Sequence, residues 1–215
     1  GTIPSKAIRH TIERVMEANT NPLIRSRLDL SATVSLSEIM QSCNSIIDNQ
    51  VSTRRQFYMR NHVDVLHGFG SFTDEHTLQV VNEHKAPITV TAASFVLAMG
   101  SSPFTPPGVD LSHPRIVNSD TILKVGDVPH TLTVFGAGVI GCEYASMFGS
   151  LGVKVNLINS QPRMLSFLDE EITDSLTYHL RDQGVVIRHN ELFEKVEARD
   201  DCVILHLQSG KKVKS

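Results

Sequence analysis

Apolar residues recur at helical spacing over two stretches early in the chain. Ile8, Ile12, Val15 and Met16 keep one face of a helix. Pro4 suits its first turn, where a missing N–H would be unpaired anyway, and Asn19-Thr-Asn-Pro22 stops it. After a polar loop over 23–34, the stripe Leu36, Ile39, Met40, Cys43, Ile46, Ile47, Val51 and Phe57 predicts a long helix over 36–60 with one packing face. The period then shortens. Segments 63–67, 77–81, 88–92 and 95–99 read as strands, with lengths that suit a small antiparallel sheet feeding one buried strand. Ser102-Pro-Phe-Thr-Pro-Pro-Gly108, with Pro114 beyond it, is the clearest linker signal. A domain boundary is therefore expected between 103 and 128, dividing the chain into 1–115 and 116–215.

From Leu132 the pattern becomes strand, helix (139–151), strand (154–158), helix (170–183) and strand (185–187), a βαβαβ order that predicts an α/β, Rossmann-like half. Two further strands, 192–198 and 202–207, read as an appended β-meander that closes near the Ser209-Gly210 turn. No parallel strand follows, so the domain reads as lacking its last strand, with an edge open to pairing.

The densest chemistry sits where the first of these strands meets its helix. Gly136, Gly138 and Gly141 stand in the spacing G-x-G-x-x-G. The first permits a tight turn, the second lets backbone approach a pyrophosphate, and the third lets the helix lie close on the sheet. The positive helix end then faces the phosphates. With a strand before, a helix after and a second strand at βαβ distance, the motif predicts a dinucleotide site built on Gly136, Ala137, Gly138, Val139, Ile140 and Gly141. An ordinary Gly-rich turn is the plainer alternative.

Composition narrows the class without changing this picture. The 215 residues carry a net charge of −3 with mixed signs, which argues against a nucleic-acid surface. Hydrophobic content is 40% with no long apolar run, so neither a membrane span nor a signal peptide is expected. Cys43, Cys142 and Cys202 lack metal or C-x-x-C spacing, and an odd count of this kind suggests reduced thiols in a cytoplasmic protein. The ten histidines form no H-x-x-x-H or H-E-x-x-H cluster, so no metal is expected. A first residue Gly1 rather than Met reads as a fragment.

Three stretches then point one way. Gly-Thr-Ile-Pro-Ser-Lys6, Met-Gly-Ser-Ser-Pro103 and Gly-Ala-Gly-Val-Ile-Gly-Cys-Glu143 occur in the order and spacing of the flavin-dependent disulfide reductases, of which lipoamide dehydrogenase and glutathione reductase are the best known. The chain resembles the middle of that family over essentially its whole length. The family's G-C-I-P-S-K supplies a second redox cysteine, but Thr2 stands there, and a thiol–disulfide relay needs two sulfurs at bonding distance. Together with Cys-Glu-Tyr-Ala-Ser146 and Ser-Phe-Leu-Asp-Glu-Glu171, this implies the branch that moves hydride from NADPH to NAD through FAD without an active disulfide. A flavin-dependent NAD(P)H dehydrogenase or reductase with another acceptor remains the alternative, as does a non-catalytic nucleotide-binding protein.

The resemblance implies an FAD-binding part in 1–115, an NAD(P)-binding part in 116–215, and a homo-oligomer when full length. It places Lys6 beside the flavin and Glu143 at the nicotinamide–flavin contact, paired with Lys6. Gly70, Met99, Gly100 and Ser101 would face FAD, and Phe193 the nucleotide adenine. Residues forming the first FAD G-x-G-x-x-G would precede this chain, so the chain alone is expected neither to hold FAD tightly nor to turn over. At the end of the second parallel strand, NAD users commonly place an acid on the ribose hydroxyls and NADP users an arginine for the 2′-phosphate. Here Asn159 is neutral and Arg163 stands nearby, a pairing that suits a site tolerating both.

Overall fold

The computed structural model describes residues 2–22, 35–83 and 85–215; the loop expected over 23–34 lies outside the described residues. Helix α1 runs Thr2–Thr20 and α2 Leu36–Arg60. Helix α2 starts at Leu36 because Ser35 and Glu38 cap each other. The Ser35 backbone N–H donates to Glu38 Oε2 at 2.8 Å, and the Glu38 N–H donates to Ser35 Oγ at 3.2 Å.

Contacts divide the chain into two units, the described residues up to Ile47 with Pro103–Ser215, and Asp48–Ser102. The linker signal marks the second cut. The first falls inside α2, so α1 and the opening turns of α2 group with the Rossmann-like part and not with the small sheet. The α2 stripe changes character there as well. Leu36, Ile39 and Cys43 are buried, whereas Val51 and Phe57 beyond Ile47 are 52% and 56% exposed. The predicted packing face thus holds for the first half of the helix alone.

In the smaller unit, β1 (Phe69–Asp74), β2 (Thr77–Asn82) and β3 (Lys85–Thr91) form an antiparallel sheet in the order β1-β2-β3. Segment 63–67 is not a strand. His62 takes a left-handed φ of 54°, and the Val63 N–H donates back to Tyr58 O, so the segment begins as a helix cap. Segment 95–99 is not a strand either; it pairs with no other strand, and its Phe95 ring stacks edge-on against Phe72 of β1 at 5.0 Å. Conversely, β1 arises from Gly70, Ser71 and Thr73, residues too small or polar to read as a strand without the β2 pairing that holds them.

The larger unit carries the expected α/β order. Strands β4 (Thr131–Phe135), β5 (Lys154–Ile158) and β6 (Val186–Arg188) run parallel in that spatial order, joined by α3 (Val139–Ser150) and α4 (Glu170–Asp182). An antiparallel meander follows, β7 (Phe193–Ala198), β8 (Val203–Leu207) and β9 (Lys212–Lys214), its last strand too short to read from sequence. Ile8 and Ile12 of α1, with Leu36, Ile39 and Cys43 of α2, pack against Ala145, Met147 and Phe148 of α3, in the same core as Val155 and Leu157 of β5. Complete burial of a side chain such as Leu157 contributes about 1.5–3 kcal/mol. A second small core of Ile158, Leu205, Leu207 and Val213 fastens the meander to the end of β5. This fixes where the site forms, at the carboxyl ends of β4, β5 and β6.

Candidate nucleotide site

Parallel register sets Phe135 beside Ile158 and Ile158 beside Arg188, so the three strands end level. Hydrogen bonds continue one residue past each strand, Gly136 N–H to Ile158 O and Asn159 N–H to Arg188 O, both 2.8 Å. Gly136, Asn159 and His189 therefore line one rim, the place where open α/β sheets bind ligands.

The three glycines of the turn do different work. Gly136 takes φ +109°, a conformation that L side chains rarely adopt. A Cβ on Gly138 would meet nothing within 4 Å, leaving an open backbone face at the amino end of α3. A Cβ on Gly141 would lie 1.8 Å from the Gly136 carbonyl oxygen and 3.4 Å from Val134. The third glycine thus seats the helix chiefly against the turn's own backbone rather than against the sheet, as the motif alone suggested. Val139 and Ile140 are exposed beside it.

Beside the turn, the Phe135 and Phe193 rings meet edge-to-face with centroids 5.8 Å apart. Both line a cleft of about 850 Å³ that follows the outer edge of β4 past Leu132 and Val134 and is walled by Val196 and Leu205 of the meander. Phe193 is thereby placed at the glycine turn.

Lys6 and Glu143 come together although 137 residues apart, with Nζ 2.7 Å from Oε1. Helix α1 presents the lysine side chain, 66% exposed, and α3 holds the carboxylate, 15% exposed. The cation is thus exposed on one side and anchored by Glu143 on the other. Thr2 opens the same helix α1. Gly70, Met99, Gly100 and Ser101 lie in the smaller unit. Gly70 sits in β1 opposite Val80, and Gly100 takes φ +74°, where an added Cβ would meet nothing within 4 Å.

At the second rim position, Asn159 is buried and largely committed to the protein. Its Nδ2 donates to Gln161 O at 3.0 Å and to His189 Nδ1 at 3.1 Å, and its main-chain carbonyl accepts from Glu191 N–H. The Gln161 bond fixes the amide orientation, so His189 Nδ1 must accept, and the ring is neutral with its proton on Nε2. Burial, then the Arg181 charge, holds the His189 imidazole below its ordinary value of 6.5. Because the folded state favours the neutral ring, its contribution to stability is full above pH 6.5 and is lost as pH falls from there through the depressed value. Thermal melts below pH 6.5 should accordingly show a steeper loss for the native protein than for His189→Gln, whose amide oxygen accepts the same bond without titrating. Parallel curves would remove His189 from the account.

The loop after β5 folds back on the glycine turn. Leu165, at φ 47°, donates its N–H to Ala137 O, Met164 is buried against Cys142, and Gln161 O accepts from Asn190 N–H. Arg163 is held between these ties, and its guanidinium pairs with Glu170, the first residue of α4. Sequence reasoning found Asn159 and Arg163 but neither His189 nor Glu170. His189 was reachable, since it ends the third parallel strand next to Asn159; Glu170 depends on the loop's fold-back, which no spacing encodes.

All three cysteines are free and buried. Burial pushes the Cys142 thiol up to about 11 and the Tyr144 hydroxyl up to about 12, and Tyr144 donates to Ser119 O at 2.9 Å, tying α3 to the turn before β4. A thiol of that kind is inert at neutral pH. A disulfide-exchange dye at pH 8 is expected to leave all three cysteines unreacted in the native protein and to titrate all three in denaturant. Rapid native reaction would contradict the burial. Among the described residues no three His, Cys, Asp or Glu side chains converge as a metal site, and no helix is long and apolar enough to cross a membrane.

The comparisons with known proteins bear on the whole chain. The profile described as pyridine nucleotide-disulphide oxidoreductase matches residues 1–215. Soluble pyridine nucleotide transhydrogenase of Azotobacter vinelandii is 51% identical over 215 residues, covering 100% of this chain and 46% of that protein. The protein of the same name from Klebsiella pneumoniae is 50% identical with the same coverage. The chain thus spans about half the length of the curated relatives it matches. Among solved structures, LpdA from Mycobacterium tuberculosis superposes with a TM-score of 0.81 at 20% identity, covering 99% of this chain and 46% of its own. The HOCl-induced flavoprotein disulfide reductase RclA from Escherichia coli gives 0.77 at 23% identity, covering 100% and 44%. At those identities the likeness is one of fold.

Proposed function

This chain belongs to the pyridine nucleotide-disulphide oxidoreductase family, and on that basis we propose that it is the nicotinamide-nucleotide-handling part of an FAD-dependent transhydrogenase that passes hydride from NADPH to NAD. The observation that carries the reading is the half-identity, over every residue, to proteins named soluble pyridine nucleotide transhydrogenase, with Thr2 standing where a relay would need sulfur. The residues fit such ligands. Gly138 offers a backbone face with space for a pyrophosphate, and Gly100, left-handed and unobstructed, offers another in the smaller unit. FAD, when bound, supplies the hydride store.

The chain's own residues do the positioning. The Gly136–Gly141 turn takes the pyrophosphate, with Phe193 beside it for the adenine end. Asn159 presents its remaining amide oxygen to the ribose hydroxyls. It has no charge to repel a 2′-phosphate, and Arg163 can meet one. Lys6 holds a cation toward the flavin, where negative charge develops, and Glu143 fixes its direction. None of these steps needs a nucleophile or a general base. Gly70, Met99, Gly100 and Ser101 supply FAD contacts.

In the full-length protein, hydride transfer from NADPH to the thio analogue of NAD should follow parallel double-reciprocal lines, as one site used in turn requires. Intersecting lines would sink the single-site relay. Transfer to quinones or dyes without transfer to the thio analogue would assign the protein to the reductases instead.

A further inference from the structure

Arg163 is not waiting free for a phosphate. The loop that carries it is stitched to the glycine turn through Leu165 and Ala137, and to the end of β6 through Gln161 and Asn190. Its guanidinium, 38% exposed, is bonded to the Glu170 carboxylate, 76% exposed. An arginine already paired with an anion of its own chain meets a 2′-phosphate against that anion's competition for the guanidinium and its repulsion of the phosphate. A dinucleotide without that phosphate leaves the pair alone.

We propose that Glu170 sets the preference between the phosphorylated and unphosphorylated nucleotide, by holding Arg163 as an internal stand-in for the 2′-phosphate and releasing it when that phosphate binds. The inference rests on the dual-nucleotide reading of Asn159 and Arg163. It adds that the tolerance is tuned from the first turn of α4 rather than by the strand end alone. The exchange takes one anion off a cation and puts another on. NADPH therefore gains less from Arg163 than an unpaired arginine would give, which brings the affinities for the two nucleotides closer together. A site that must release NADP and then accept NAD has use for that. Glu170 lies largely in water, so the effect is that of an exposed ion pair, modest in size but specific to the phosphate. Asp169 already caps α4 through the Glu171 N–H, leaving Glu170 free of any capping duty.

The test is a calorimetric titration of the full-length protein with adenosine 2′,5′-bisphosphate and, separately, with adenosine 5′-monophosphate. These two probes differ at the 2′ position and need no reaction. Glu170→Gln should strengthen bisphosphate binding about three- to fivefold and leave the monophosphate unchanged. Arg163→Ala should weaken bisphosphate binding about tenfold, again without effect on the monophosphate. In the Arg163→Ala background, Glu170→Gln should have no effect on either probe. If Arg163→Ala weakens the bisphosphate and Glu170→Gln fails to strengthen it, the role of Glu170 is overturned while the dual-nucleotide reading stands. If Arg163→Ala leaves the bisphosphate unchanged, the reading of Arg163 falls and this inference with it. Equal strengthening of both probes by Glu170→Gln would also overturn it, as a general charge effect.

Discussion

Replacing Gly141 by alanine is expected to destabilise the fold, and replacing Gly138 by alanine to leave the fold intact while removing nucleotide binding. The two glycines stand three residues apart in one turn, so the contrast isolates what each is for. At Gly141 a methyl would sit 1.8 Å from the Gly136 carbonyl oxygen, an atom of the backbone that no rotamer change can move. Either α3 lifts from the turn or the turn opens, and each disturbs the Gly136–Ile158 bond that continues the β4–β5 ladder. Overpacking of this kind costs about 3 kcal/mol, which in a chain of this size lowers the unfolding temperature by about 6–12 °C. At Gly138, φ is −79° and ψ −172°, backbone that alanine adopts freely, and a Cβ meets nothing. The melting temperature should stay within about 2 °C, as for a surface substitution. The open face is then blocked where a pyrophosphate must approach, and affinity for both nucleotides should fall at least about tenfold. Calorimetric melts and titrations of the two variants decide this. A stable Gly141→Ala, or a Gly138→Ala that binds normally, would contradict the geometry.

The second large effect belongs to the Lys6–Glu143 pair and is read in the full-length flavoprotein. If Lys6 lies beside the flavin as proposed, Lys6→Met removes the cation facing the charge that develops there, and the rate of hydride transfer from NADPH should fall about 10²-fold. Glu143→Gln keeps the cation but loosens its anchor, and a loss of about tenfold is expected from misdirection alone. Neither residue contributes to the backbone of the glycine turn, so the dissociation constants for NADP and NAD should barely change. Lys6→Arg should restore part of the rate, because charge rather than shape is what Lys6 supplies. Stopped-flow reduction separates the two parameters. A fall in affinity with an unchanged rate would make the pair a structural tie between α1 and α3.

What could be read in advance follows from how local each feature is. The extent of helix α2 was legible from apolar residues at helical spacing, although only its first half buries them; the Ser35–Glu38 capping pair that sets its start is seen in the structure. The parallel strands were legible because they are apolar runs between helices of the right length. Segments 63–67 and 95–99 misled because their apolar residues are mostly exposed and pair with no strand, the first beginning with a backbone helix cap at Val63 and the second with the Phe95–Phe72 ring contact, and alternation cannot tell these from a ladder. Strand β1 was hidden for the opposite reason, since Gly70 and Ser71 have no strand preference and take their conformation from β2.

The site divides in the same way. The glycine turn is written in fixed spacing, and Lys6, Glu143, Asn159 and Arg163 could be placed from motifs and strand ends. The Lys6–Glu143 bond could be anticipated because the resemblance already set both residues beside one ring system. The bonds from Asn159 to His189 and from Arg163 to Glu170 could not. They arise from side chains brought together by parallel register and by a loop folding back on itself. The second pairing changes how the proposed role of Arg163 must be understood, from an unpaired cation to one already paired with Glu170.

One site at the ends of β4 and β5 is proposed to accept both nicotinamide nucleotides. Calorimetric titration of this chain with NADH and with NADPH tests it most directly. Saturable binding of each is expected, with dissociation constants within about tenfold of one another, a difference of about 1.4 kcal/mol. A preference of about a hundredfold or more for either nucleotide, or binding of neither, would contradict it.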